Sequence, residues 1–195
     1  MVISLLKSGG VKCQASGFSL MVDPVLSGGE TASPEEGRGK LALRTEAPGG
    51  MDFPASGGVI AIPGEYEVSG VIVRGIPLPE ESSADKLRTI YLVDMDGIRL
   101  CFLGPLTKEL KDESLEKLEG VQVLLLPIGS PYLSVRQAIN LIKQIEPKLV
   151  IPTAVKDKKS LLEEFGGKAE VEEKITLKAK DLEEEGIKLI WLKEK

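Results

Sequence analysis

Residues 121–126 are apolar at every position except Gln122. A run this short and this apolar reads as a strand covered on both faces, the position of a central strand in a parallel sheet. That requirement excludes a bare hairpin stack and points to a layered architecture with a sheet between other layers. The residues around it support this. Before it, residues 2–6, 11–15, 18–22, 41–43, 59–62, 66–68, 71–76, 89–93 and 98–103 read as short strands separated by glycine-rich turns. Asp96-Gly97 between two apolar runs is a strong hairpin signal. Asp23-Pro24 ends the third strand, because proline cannot donate to a ladder.

After the apolar run the spacing changes. Val135, Ala138, Ile139, Leu141, Ile142 and Ile145 share one helical face, with Ser134 as the N-cap and Pro147 as the stop. Residues 149–151 follow as a strand that Pro152 is expected to end. A helix over 160–165 closes at Gly166-Gly167, and strands are expected at 175–177 and 187–192. The stretches 27–39, 47–58 and 77–85 read as loops. No repeat and no long linker divides the chain, so residues 1–195 are expected to form one α/β domain.

The count that most limits chemistry is histidine, which is absent. Histidine is the commonest metal ligand and the usual general base near neutral pH. Without it there is no Ser-His, Cys-His or His-metal mechanism. Cys13 and Cys101 lie in strand-like runs, form no metal-ligand spacing and read as buried core thiols in a reduced compartment. No phosphate-binding glycine loop and no Gly-x-Ser-x-Gly elbow is present. The net charge of -5 argues against a nucleic-acid partner. Lys156, Lys158 and Lys159 lie close to acids and read as a solvated face. No apolar run is long enough to span a bilayer, and residues 1–11 lack a signal-peptide core. A cytoplasmic protein with no membrane association is the expectation. Trp191 reads as packing, and Tyr132 as a residue at the mouth of a cleft or on the open surface.

Several phrases, taken together and in order, resemble one family. They are Asp23-Pro24, Pro63-Gly64-Glu65-Tyr66-Glu67-Val68-Ser69-Gly70-Val71, Thr89-Ile90-Tyr91-Leu92-Val93 with Asp96-Gly97-Ile98-Arg99-Leu100, Val123-Leu124-Leu125-Leu126-Pro127-Ile128-Gly129, and Ile145-Glu146-Pro147-Lys148-Leu149-Val150-Ile151-Pro152. The set resembles metallo-β-lactamase-fold hydrolases, in the branch similar to ascorbate-6-phosphate lactonase. The resemblance implies a four-layer αββα sandwich with a metal site at one edge of the packed sheets.

The same comparison implies that the metal ligands are gone. The family carries a His-x-His-x-Asp-His loop; the matching stretch here is Arg44-Thr45-Glu46-Ala47-Pro48-Gly49-Gly50-Met51-Asp52. A ligand Asp turn becomes Gly104-Pro105-Leu106, a ligand His falls near Ala154, and Gly-His-Ser becomes Lys7-Ser8-Gly9. Catalytic zinc needs about three protein ligands and an open position for water. The expectation is therefore a non-catalytic member of the fold with a binding, scaffolding or regulatory role, with a homo-oligomer or protein partner and no cofactor. The alternative is a hydrolase holding Mg²⁺ or Mn²⁺ through carboxylates, with Glu46 and Asp52 as the ligands. The acids nearest the expected edge are Glu46, Asp52, Glu65 and Glu67. The plainer reading makes the first two solvated loop acids and the last two structural.

Overall fold

A computed structural model of the chain describes residues 1–6, 9–24, 39–49, 58–167 and 169–194. The strands are β1 (Val2–Leu5), β2 (Val11–Ala15), β3 (Phe18–Val22), β4 (Lys40–Leu43), β5 (Glu46–Pro48), β6 (Val59–Ile60), β7 (Gly64–Val68) and β8 (Val71–Pro77). They continue with β9 (Lys86–Met95), β10 (Ile98–Phe102), β11 (Val123–Ile128), β12 (Leu149–Val155), β13 (Glu170–Glu172), β14 (Ile175–Thr176) and β15 (Lys188–Leu192). The α-helices are α1 (Asp112–Glu116), α2 (Val135–Ile145) and α3 (Lys158–Glu164).

The strands form two mixed sheets. The first runs β14-β1-β2-β3-β4-β6, and the second β13-β15-β12-β11-β10-β9-β8-β7, with β5 added against β9. One apolar cluster joins the inner faces of the two sheets, Ile3, Leu20 and Leu43 against Val93, Leu100 and Leu125. A second joins the outer face of the second sheet to the helices, Leu92, Leu124 and Val150 against Ala138, Ile142 and Leu161. The period-2 alternation in β11 does this directly. Val123 and Leu125 face the sandwich, while Leu124 and Leu126 face the helices. The α/β sandwich expected from the sequence is the fold, and its helical layer among the described residues covers the second sheet. No helix among the described residues is long and apolar enough to cross a membrane.

Local chemistry sets most boundaries. Asp96 and Gly97 both take positive φ, 55° and 74°, the mirror-image turn that closes β9 on β10. Ser134 caps α2 with a reciprocal Gln137 bond, and Glu146 ends the helix in a left-handed conformation before Pro147.

Two expectations need correction, and two short elements went unread. Pro152 does not end β12, which continues to Val155. The pairing with β11 shifts between Leu126 and Pro127, so the ladder is already irregular where proline lacks its N–H. Residues 47–58 are not all loop, because Glu46–Pro48 pairs with Lys86–Arg88 as a short edge addition. Polar α1 and β13 carry no apolar period, so the sequence pattern does not reveal them.

Candidate active-site cleft at the sandwich edge

Where β3 and β4 end, the chain crosses from one sheet to the other. Asp23 N donates to Leu43 O and Arg44 N to Ile60 O, which extends the first sheet by one step. Thr45 O then accepts from Thr89 N, and Glu46 pairs with Arg88 in the second sheet. Arg44 and Thr45 therefore bridge the sandwich at its edge. They open onto a cleft of about 300 Å³, also lined by Gly9, Asp23, Glu46, Gly104, Pro105, Pro127, Tyr132, Thr153 and Ala154. The segments that follow β1, β3, β4, β10 and β11 converge there with the C-terminal ends of β11 and β12.

The acids in this cleft are already engaged. Asp23 Oδ1 accepts from Thr45 N at 2.8 Å and Oδ2 from Thr45 Oγ1 at 2.5 Å. Burial pushes the Asp23 carboxyl above the usual carboxylate range, against the opposing pull of the two Thr45 bonds. Glu46 Oε1 meets Lys86 Nζ at 3.1 Å, and Oε2 meets Arg88 at 2.8 Å. Arg88 also donates to Pro105 O, which fixes the turn at the end of β10. Gly104 stands directly over Thr45. A Cβ there, at φ 63°, falls 2.5 Å from Thr45 Cβ. The cationic side is less satisfied. The buried Nε of Arg44 meets no acceptor among the described residues.

Of the candidates read from the sequence, Glu46 lines the cleft, but as the partner of two cations. Asp52 and the Lys7-Ser8 pair lie outside the described residues. Glu65 and Glu67 do not line the cleft; both are exposed on β7, and Glu65 pairs with Arg74 at 3.2 Å. Tyr132 lines the cleft. Trp191 packs beside the second cluster, with Lys158 Nζ 5.0 Å from its ring. Cys13 and Cys101 are fully buried, and burial pushes the Cys13 thiol up to about 12 and the Cys101 thiol up as well. Sequence reasoning missed Asp23, Arg44, Thr45 and Arg88 as site residues. Asp23-Pro24 was visible as a strand stop, but its bond to Thr45 spans two strands and no local spacing marks it.

A family model described as the beta-lactamase superfamily domain matches residues 3–154. The chain belongs to the metallo-β-lactamase superfamily. No curated protein matches it. Among solved structures, a Thermotoga maritima protein assigned as a Zn-dependent hydrolase of the metallo-β-lactamase superfamily aligns with TM-score 0.74 at 18% identity, covering 98% of this chain and 99% of that one. A Parabacteroides distasonis protein assigned as a metal-dependent hydrolase gives 0.65 at 17%, covering 99% and 93%. A metallo hydrolase from Ignicoccus hospitalis gives 0.63 at 14%, covering 99% and 94%. At these identities the likeness shows the shared fold.

The superfamily implies a metal at this edge, and the described residues do not fit one. No group of three or more metal-ligating side chains comes together among them. Both Asp23 oxygens accept from Thr45, both Glu46 oxygens face cations, and Ala154 and Pro105 offer no side-chain donor. Arg44 puts a fixed positive charge on the same wall.

Proposed function

We propose that this metallo-β-lactamase-fold chain is a non-catalytic binding protein whose edge cleft takes a ligand without a metal. On this reading it is a degenerate member of the branch similar to ascorbate-6-phosphate lactonase, which the resemblance of the motif set supports. The observation that carries the proposal is the pairing of the cleft acids. Asp23 is tied to Thr45 and Glu46 to Lys86 and Arg88, so a cation at either carboxylate has to compete with contacts already made. A cation brought here also meets Arg44, and like charges at close range repel. Elemental analysis of untagged protein tests it. The expected result is no stoichiometric zinc, manganese or iron, and one equivalent of firmly held metal ends the proposal.

The solved relatives favour a second reading, since they are assigned as metal-dependent hydrolases. On that reading Glu46 and Asp52 hold Mg²⁺ or Mn²⁺, and the chain hydrolyses an ester, lactone or phosphodiester. Glu46→Ala and Asp52→Ala then abolish both hydrolysis and stabilisation by added Mn²⁺. Unchanged responses in both variants reject it.

A further inference from the structure

We propose that Arg44 anchors an oxyanion, the carboxylate or phosphoryl group of a small ligand, in the edge cleft. This rests on the reading of the cleft as a metal-free binding site and names the ligand class for it.

The argument begins with charge. Arg44 lines the cleft, and no ion pair among the described residues engages its guanidinium. Its Nε is buried without an acceptor among those residues. Arg44 as a whole is half-buried, so the rest of its guanidinium is open to the cleft, while a buried donor left unpaired carries a cost that an incoming acceptor relieves. The two described acids that line the cleft, Asp23 and Glu46, are engaged elsewhere. The Asp23 oxygens accept from Thr45, and the Glu46 oxygens accept from Lys86 and Arg88. Counting these groups, three cations stand against two carboxylates, so no carboxylate among the described residues is paired with Arg44.

Shape supports the same class. The guanidinium fork matches two oxygens of a carboxylate or phosphoryl group. Tyr132 and Thr153, both hydroxyl-bearing residues, line the same cleft, while Pro105, Pro127 and Ala154 supply apolar surface for the rest of the ligand. A cavity of about 300 Å³ suits a small molecule. Arg44 also opens the stretch that matches the family's ligand loop. A protein-borne cation thus occupies the region where relatives are expected to hold metal ions.

The test is calorimetric titration of metal-free protein with inorganic phosphate and, separately, with benzoate, at constant ionic strength in sodium chloride. Saturable binding of at least one anion is expected, and which one binds separates the phosphoryl from the carboxylate source. Arg44→Gln is expected to weaken that binding about tenfold or more, and Arg44→Lys to weaken it less. Nitrogen-15 NMR of the Arg44 Nε–H in the wild-type protein needs no variant, and a shift that saturates with the calorimetric curve is expected. The proposal is overturned if neither anion saturates, if Arg44→Gln binds as the wild type does, or if the Nε–H resonance stays fixed at saturation. Failure of that kind in metal-free protein leaves the binding reading standing with a different ligand class. Anion binding that is present in the protein as purified and lost in the metal-free protein overturns both, because a metal ion then carries the charge.

Discussion

Thr45 gives both of its donors to Asp23, the backbone N–H to Oδ1 at 2.8 Å and the hydroxyl to Oδ2 at 2.5 Å. The pair ties the end of the first sheet to the crossover that begins the second. Thr45 is 2% exposed, so the lost hydroxyl bond is not replaced by bulk water. Thr45→Val keeps the shape and removes one donor from a half-buried carboxylate. A loss of about 1–3 kcal/mol is expected. Urea unfolding checks it, with a lower midpoint and an unchanged slope as the signature.

Asp23 also makes stability depend on pH. Burial raises its folded pKa above the unfolded value, despite the Thr45 bonds and the opposing charge of Arg88. Between the two values the folded state binds more protons, so the contribution of this group is full below the unfolded pKa. It is lost as pH rises through the folded one. Asp23→Asn cannot ionise and lacks this slope. Its deficit in Tm against wild type is therefore expected to be larger near about pH 4 than near about pH 7. A deficit that grows with pH contradicts the assignment.

The sandwich was legible because its strands carry strong, local signals. Val123–Ile128 is apolar on both faces, Asp96-Gly97 takes the turn its sequence demands, and Ser134 caps the helix its spacing announces. The cleft was only partly legible. Glu46 and Tyr132 were named, yet the role of Glu46 depends on Lys86 and Arg88, forty residues away and adjacent only because β5 pairs with β9. Arg44 and Thr45 open the stretch matched to the family's ligand loop, but nothing in the sequence marks either as a wall of the cleft. Their placement follows from a crossover between sheets, which no period in the sequence encodes.

Gly104 tests how tightly the edge is packed. Gly104→Ala places a methyl carbon against Thr45 at a positive φ that alanine tolerates poorly. Thr45 is held by Asp23 and the Thr89 N–H, so it has little room to move. A loss of about 2–4 kcal/mol is expected, from overpacking and backbone strain together. The thermal midpoint of the variant measures it, and a wild-type value argues against the contact.

The two thiols give a separate check on the core. Cys13 and Cys101 are each 0% exposed, and burial raises both above the ordinary thiol pKa. Reaction needs thiolate and access, and both are lacking in the folded protein. Labelling with an aromatic disulfide near neutral pH is expected to proceed only as fast as unfolding. Two thiols should react at once in denaturant. Rapid labelling of either in the native protein places that strand outside the core.

Glu46 is where the structural and catalytic readings part most clearly. Its carboxylate bridges Lys86 and Arg88, and the Arg88 side chain is only 13% exposed. Glu46→Gln removes the charge but keeps the shape, leaving Arg88 held by the Pro105 carbonyl alone among the described residues. Because Glu46 itself is 40% exposed, water screens part of the pair and a loss of about 1–2 kcal/mol is expected rather than the larger cost of a fully buried ion pair. Arg88→Met in the same background should recover part of that loss, since it removes the unpaired charge. A double-mutant cycle by urea unfolding reads the coupling directly. If Glu46→Gln leaves stability unchanged while abolishing stabilisation by Mn²⁺, the carboxylate serves a cation and the structural assignment fails.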